Sequence, residues 1–476
     1  MQMPDFSLAI PEMWVLAMAC VVLVADLFDK SEDHGLAYYL SQVTLLVAIV
    51  LTIDTQWGVR ATTFSDMFRV DPLAVVLKVA IETLGFIAFA YSREYLQARN
   101  LLRGEYFVLG LFGVLGMMAM ASGYSLLTLY MGLELLSLSL YAMVAINRDA
   151  PSASEAAMKY FVLGALSSGM LLYGMSMVYG AVGSLDISRI AAVSMASGSS
   201  NLLLIFGLAF VIVGVSFKFG AVPFHMWVPD VYEGAPTPVT LYIGTAPKVA
   251  AVALFLRLLS EGLGGLQGDW QLMMIVLAVL SLAVGNIFAL AQTNMKRMLA
   301  YSTISHVGFL FLGFIAGSKE GYSAAVFYAV SYTLTAAGAF GMILLLSRKG
   351  FEADRIEDFK GLNERSGTFA IVMLVIMFSM TGVPGTVGFY AKWLVLKSIV
   401  DAGMTWLAVV SVIFAVIGAF YYLRVLKMVF FDKPQGEAEI EAGTGLRAVL
   451  GVNGLAVLLL GIFPSALIGV CMTALH

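Results

Sequence analysis

Apolar runs long enough to cross a lipid bilayer recur along almost the whole chain. A transmembrane helix needs about 20 mostly apolar residues, and the sequence contains about fourteen runs of this kind. We number them spans 1 to 14, and their approximate ranges are 8–28, 36–53, 71–91, 105–122, 125–146, 156–181, 202–222, 237–259, 270–291, 298–316, 321–346, 367–399, 405–430 and 447–470. Only 12% of the residues are charged, whereas soluble domains carry about 25%. The sequence therefore predicts an all-α polytopic membrane protein.

Several classes of function are not supported by the residue patterns. The net charge is −4 and there is no run of basic residues, so nucleic-acid binding is not expected. No glycine-rich nucleotide loop occurs, and Cys20 and Cys471 lie far apart. The four histidines lack the spacing of a metal or haem site. We therefore expect no cofactor on this chain, and any redox chemistry would belong to partner proteins.

The distribution of basic residues predicts the orientation. An even number of spans places both termini on one side of the membrane. Of the 27 Lys and Arg residues, 17 fall in or near the loops on the side opposite to the N-terminus, and Lys30 is one of these. Six fall on the N-terminal side and four within spans. Because inner loops are enriched in Lys and Arg, we expect both termini to face outward.

A faint internal repeat links the two halves of the chain. Shifting the sequence by 168 residues places 156–169 on 324–337, with matching Ala, Tyr and Leu positions, and places Gly220 on Gly388. The shift equals five spans, which is an odd number, so the two units would be inverted in the membrane. Inverted repeats with helices broken at matching places are a transporter architecture.

Spans 7 and 12 carry helix breakers at corresponding places. Gly220 and Pro223 interrupt span 7, and Pro384 with Gly382 and Gly388 interrupts span 12. Proline removes a backbone donor, and in a bilayer the freed carbonyl groups must face protein or water. Ordinary proline kinks remain an alternative, although the symmetric placement favours a functional role.

Charged and titratable residues occur within the spans themselves. A charge at the centre of the bilayer costs roughly 2.5–3.5 kcal/mol on insertion scales and usually marks an ion or proton path. The residues concerned are Glu134 in span 5, Lys218 in span 7, Lys248 in span 8, His306 in span 10 and Lys392 in span 12. One carboxylate cannot neutralise three lysines, so some lysines should be neutral part of the time or solvated by internal water.

Lysine suits a switchable proton site. Burial disfavours its charged form and a nearby carboxylate favours it, whereas arginine stays charged throughout. Moving a carboxylate closer or further would therefore load or unload the proton. Polar side chains of spans 10 and 11 could hold water between the charged sites: Ser302, Thr303, Ser305, Ser331, Tyr332 and Thr335.

Each of these residues also has a structural interpretation. Glu134 and Lys218 could form a static ion pair, Lys248 could snorkel or pair statically, and His306 could be a satisfied core histidine. Lys78 and Glu82 of span 3 are four residues apart, which favours a structural ion pair on one helix face.

Four segments of the sequence resemble those of a known protein family. The segments FKFGAVPFHMWVPDVYEGAPTPVT (217–240), APKVAA (246–251), MKRMLAYSTISHVGF (295–309) and GVPGTVGFYAKW (382–393) are similar to those of the antiporter-like subunits of respiratory complex I. The resemblance covers nearly the whole chain.

The resemblance implies a division of the chain and a role for each buried charge. It implies inverted five-helix repeats in spans 4–8 and 9–13. The divisions are 1–104 for spans 1–3, 105–260 for the first repeat, 261–432 for the second and 433–476 for span 14. Glu134 and Lys218 would be the acid–lysine pair, Lys248 the central relay and Lys392 the outlet lysine, with His306 between them.

The resemblance also implies a cellular location, partner subunits and a source of energy. We expect a proton-translocating subunit of the bacterial inner membrane, with both termini periplasmic and driven by quinone reduction elsewhere. Its partners would be antiporter-like and small membrane subunits, and NADH, FMN, iron–sulfur clusters and quinone would bind to other subunits. Two alternatives stay open: a subunit of a multisubunit sodium/proton antiporter, and a structural membrane spacer with static charges.

Overall fold

The computed structural model describes residues 4–29, 35–434 and 440–475. Lys30, counted above for the orientation, lies outside these described residues. The described chain forms twenty α-helices: α1 Ile10–Phe28, α2 Gly35–Gln56, α3 Pro72–Ala98, α4 Gly104–Ser122, α5 Leu126–Val144, α6 Pro151–Val182, α7 Ile187–Ser197, α8 Leu202–Phe219, α9 Trp227–Gly234, α10 Thr237–Gly244, α11 Ala246–Phe255, α12 Gln267–Leu290, α13 Met295–Ile315, α14 Lys319–Leu346, α15 Leu362–Arg365, α16 Gly367–Thr381, α17 Val387–Asp401, α18 Thr405–Phe431, α19 Thr444–Ile462 and α20 Ser465–Thr473. Two short antiparallel strands, β1 Ala61–Thr63 and β2 Phe68–Val70, connect α2 to α3.

The predicted all-α membrane fold is confirmed. In the described part of the chain, 13 helical segments are long and apolar enough to cross a membrane. The remaining predicted span, span 12, is divided into the shorter helices α16 and α17. Each predicted span therefore corresponds to a helical segment or to a broken pair. The inverted relation of the two five-helix units stays a prediction.

The helix breaks in spans 7 and 12 are present and have the same local form. Helix α8 is capped at its C-terminus by Gly220 and α16 by Gly382, and both glycines have left-handed backbones with φ of 79° and 91°. Glycine adopts this conformation without the steric cost that other residues meet. A proline follows each glycine within three residues, at Pro223 and Pro384, and prevents the helix from resuming at once.

Span 8 is also interrupted, which the sequence analysis missed. We predicted one continuous helix over 237–259, but the chain forms α10, a turn at Thr245, α11 and then a π-helical turn, Leu256–Gly262. Thr245 has φ −118° and ψ −98°, which is not helical. The signal was Pro247, which cannot donate a backbone hydrogen bond to the preceding turn. The break places Lys248 in the first turn of a new helix.

The π-helical turn of span 8 is held by a buried ion cluster. The guanidinium of Arg257 donates two hydrogen bonds of 2.8 Å to the carboxylate of Asp71, the residue that caps α3. A third bond of 2.7 Å joins Arg257 to Glu261. The cluster ties the start of α3 to the end of span 8.

The pairing of Lys78 differs from the sequence interpretation. We expected Lys78 to pair with Glu82 on the same helix, but its ammonium contacts the carboxylate of Glu12 on α1 and donates to Gln56 Oε1 at 3.0 Å. Glu82 instead accepts a hydrogen bond of 2.8 Å from Thr52. Partners on α1 and α2 are available only after tertiary packing, so helix spacing alone could not identify them. The pair joins α1, α2 and α3.

The ion cluster leads to a stability prediction. Asp71→Asn removes the negative charge and leaves Arg257 buried with incomplete compensation, so we expect the free energy of unfolding to fall by about 3–5 kcal/mol. The measurement is SDS-induced unfolding of the purified chain in detergent. Asp401→Asn is the control, since its carboxylate is exposed and pairs with exposed Lys397, and it should cost about 1 kcal/mol or less. Equal losses in the two variants would contradict the prediction.

Candidate functional site

Lys218 lies in the last turn of α8, directly before the helix break. Its ammonium donates a hydrogen bond of 2.9 Å to Ser137 Oγ on α5 and a longer one of 3.4 Å to Ser168 Oγ on α6. Glu134 lies one turn before Ser137 on α5, and it forms no ion pair with Lys218. One carboxylate oxygen of Glu134 is buried without a hydrogen-bond partner. In this structure the ammonium of Lys218 therefore contacts Ser137 on α5 and not the predicted partner Glu134.

Lys248 is almost completely buried and binds the end of α8. Its ammonium donates to the carbonyl oxygen of Phe219 at 2.7 Å and lies 3.5 Å from that of Lys218. The last carbonyl groups of a helix have no partner within the helix and carry a partial negative charge. Lys248 satisfies these groups where the bilayer could not, so it stabilises the broken helix. The same contact brings Lys248 next to the backbone of Lys218.

Lys392 makes the same kind of contact at the second break. It lies on α17 and its ammonium donates to the carbonyl oxygens of Met380 and Thr381, at 3.0 and 2.8 Å, at the end of α16. The ammonium also lies 5.0 Å from the centre of the Phe309 ring on α13. Each broken helix thus ends on the ammonium group of a lysine from a following helical segment.

His306 lies on α13, which other helices surround on all sides. Its Nδ1 is 2.6 Å from the hydroxyl of Tyr328 on α14, and its Nε2 is 3.1 Å from the hydroxyl of Tyr422 on α18. Tyr422 is in turn 2.5 Å from Ser302 Oγ. Both ring nitrogens therefore have hydroxyl partners that can donate or accept a proton. This arrangement accommodates either tautomer of the imidazole.

A small cavity lies between His306 and the second helix break. Its volume is about 10 Å³, and its lining includes His306, Ser379, Met380 and Gly388. A volume of about 10–15 Å³ is the minimum for one water molecule. Met380 also provides a carbonyl oxygen to Lys392, so a water in this cavity would lie close to both titratable side chains.

The polar residues predicted on spans 10 and 11 lie in this region, together with other polar residues that were not predicted. Tyr332 donates to Thr303 at 2.7 Å, and Thr335 is 3.1 Å from Ser379. Six further partners were not predicted from the sequence: Ser137, Ser168, Asn286, Tyr328, Ser379 and Tyr422. Of these partners, only Ser137 could have been predicted from the spacing along a helix, because it lies three residues after Glu134 on the same helix face.

The capping role of Lys392 gives a second stability prediction. Lys392→Met keeps a similar side-chain length but leaves two buried carbonyl groups without their donor, so the free energy of unfolding should fall by about 1–3 kcal/mol. Lys397→Met, an exposed position one turn away on α17, should change it by less than about 0.5 kcal/mol. SDS titration of the purified variants measures both, and a Lys392→Met variant as stable as the control would show that the capping bond contributes nothing.

Known proteins match this chain over nearly its full length. Residues 123–418 match the family described as NADH:quinone oxidoreductase/Mrp antiporter, TM. The chain is 64% identical over 473 residues to NADH-quinone oxidoreductase subunit N of Alkalilimnicola ehrlichii, covering 99% of this chain and 97% of that protein. It is 59% identical to subunit N of Thioalkalivibrio sulfidiphilus, covering 100% and 99%.

A solved structure supports the same assignment. A chain in respiratory complex I from Thermus thermophilus with bound aureothin superimposes with a TM-score of 0.82 and 29% identity, covering 96% of this chain and 98% of that one. The resemblance to antiporter-like subunits is thereby confirmed. The chain belongs to the family of N subunits of NADH-quinone oxidoreductase, within the wider group of NADH:quinone oxidoreductase/Mrp antiporter membrane subunits.

Proposed function

We propose that this chain translocates protons as a membrane subunit of NADH-quinone oxidoreductase, with Glu134, Lys218, Lys248, His306 and Lys392 as its relay. The observation that carries the proposal is the contact of Lys248 and Lys392 with the ends of two broken helices. An ammonium at the negative end of a helix is stabilised in its charged form, while burial favours the neutral form. A small displacement of the helix end therefore changes proton affinity.

The relay begins at the α5–α8 contact. In this structure Ser137 holds the Lys218 ammonium one helix turn from Glu134. A rotation or slide of α5 that brings the Glu134 carboxylate to Lys218 would favour the ammonium form, and the reverse motion would release the proton. Lys248 shares the end of α8 with Lys218, so it is the next acceptor.

The second half of the relay leads from His306 to Lys392. The imidazole has tyrosine hydroxyls on both ring nitrogens, so it can take a proton on one side and release one on the other. The cavity beside Met380 offers room for a water between His306 and the Lys392 site. Lys392 would then be the last protonated group before the outlet.

The energy for this relay would come from other subunits. Among the described residues no group of His, Cys, Asp or Glu is arranged to hold a metal ion. We propose that NADH, FMN, iron–sulfur clusters and quinone bind elsewhere in the complex, and that antiporter-like and small membrane subunits are the neighbours of this chain.

The proposal is tested with Lys218→Ala in the assembled membrane complex. Removing a positioned proton carrier should lower NADH oxidation and proton pumping together, by roughly a hundredfold or more if the step resembles general acid–base catalysis. Lys397→Ala is the control, because that lysine is exposed and pairs with exposed Asp401. Assembly is verified by native gel electrophoresis.

The outcomes separate the proposal from its alternatives. Assembled Lys218→Ala complex with normal oxidation and pumping would show that the buried charges are static and that the chain is a spacer. Sodium-dependent transport that continues without NADH oxidation would favour the sodium/proton antiporter. Loss of assembly alone would also assign the lysine a structural role.

We further propose that the chain lies in the bacterial inner membrane with both termini in the periplasm. Arg189→Cys and Lys349→Cys place exposed thiols in segments between spans, and these segments are predicted to face opposite sides. In a background with Cys20→Ser, a membrane-impermeant maleimide should label Arg189→Cys in cells with a permeabilised outer membrane. It should label Lys349→Cys only after the inner membrane is broken. The reversed pattern would contradict the orientation.

A further inference from the structure

We infer that the chain binds one phospholipid with an anionic headgroup in a groove between α2 and α3 on one side and α14 and α20 on the other. The groove is an apolar cavity of about 520 Å³, within the range of about 300–1,000 Å³ typical of ligand sites. Its walls come from α2, α3, α14 and α20. Thr83 is the only polar residue among those that line it.

The depth of the groove matches one leaflet of a bilayer. Along α3 its lining extends from Val76 to Ile87, which is roughly 16 Å at 1.5 Å per residue. Half of a hydrocarbon core of about 30 Å is roughly 15 Å. Val76 lies near the start of α3, whereas Val330 and Leu334 lie in the middle of α14. The groove therefore extends from one membrane surface to about the mid-plane.

The groove is long, apolar and open on one side, so a flexible hydrocarbon chain can lie along it.

The mouth of the groove carries the features of a phosphate site. A second cavity of about 300 Å³ continues from the first, and both share Trp57 and Val76. Arg60 and Thr473 line this mouth, and Arg60 is exposed and forms no ion pair in the described part of the chain. An arginine can bind phosphate oxygens with two parallel hydrogen bonds. Trp57, which is 56% exposed, is suited to the headgroup level.

The charge at the mouth separates a phospholipid from a quinone tail. Both have apolar chains that fit the groove, but a quinone has no anionic group for Arg60. The bound lipid fills the space between α3 and the helices α14 and α20, so it joins the N-terminal helices to the C-terminal end of the chain. This site does not depend on the proton relay proposed above.

The test is quantitative lipid mass spectrometry on the purified complex. Arg60→Ala removes the phosphate partner, and Ala80→Phe fills the groove. Each should lose one tightly bound anionic phospholipid per complex compared with the unaltered protein. The matched controls are Arg189→Ala, another exposed arginine, and Ala165→Phe, an exposed position on α6, and both should keep it. An unchanged lipid content in Arg60→Ala and Ala80→Phe would overturn the proposal.

A second measurement covers the case in which these variants fail to assemble. Thr83→Cys, a small change deep in the groove, is treated with a membrane-permeable maleimide in a background with Cys20→Ser. We expect slow alkylation, faster alkylation after delipidation in detergent, and renewed protection by phosphatidylglycerol vesicles but not by ubiquinone. Protection that survives delipidation would show that a neighbouring subunit covers the groove, and protection restored by ubiquinone alone would assign a quinone; both results overturn the proposal.

Discussion

The end of a helix inside a membrane is the constraint on which the rest of this site depends. Breaking α8 and α16 within their spans leaves carbonyl groups that lipid cannot satisfy. Lys248 and Lys392 supply the missing donors, and each belongs to a helical segment that follows the break. The fold therefore requires an ammonium at two places where the bilayer alone would exclude one. The two lysines that stabilise the helix breaks are therefore also two of the residues proposed to carry protons.

The polar groups around these lysines form two regions with different character. Around Lys218 the partners are serine hydroxyls on α5 and α6, which hold an ammonium without neutralising it. Around His306 the partners are tyrosine hydroxyls on α14 and α18. The first region suits a site whose charge depends on an approaching carboxylate, and the second suits a group that passes protons in either tautomer. The region around Lys218 is therefore suited to proton loading, and the region around His306 to proton transfer.

The sequence was informative about helices and charges and less so about their partners. Hydropathy alone predicted the spans, and Gly220 and Gly382 with their following prolines identified both breaks, because these signals are local. The break at Thr245 was missed, although Pro247 indicated it. The partner of Lys78 was predicted on its own helix and lies instead on α1, because packing brings distant helices closer than neighbouring turns. Tyr422 could not be identified, since nothing in one sequence shows which face of α18 meets α13.

The ion cluster at the end of span 8 has a consequence for motion. Arg257 fixes one end of the segment that carries Lys248 to the start of α3. The other end begins at the irregular turn of Thr245. The segment is therefore anchored at Arg257, and the end that bears the Lys248 ammonium is the end without such an anchor. Any shift transmitted from a neighbouring helix would be largest at Lys248 and would vanish towards Arg257.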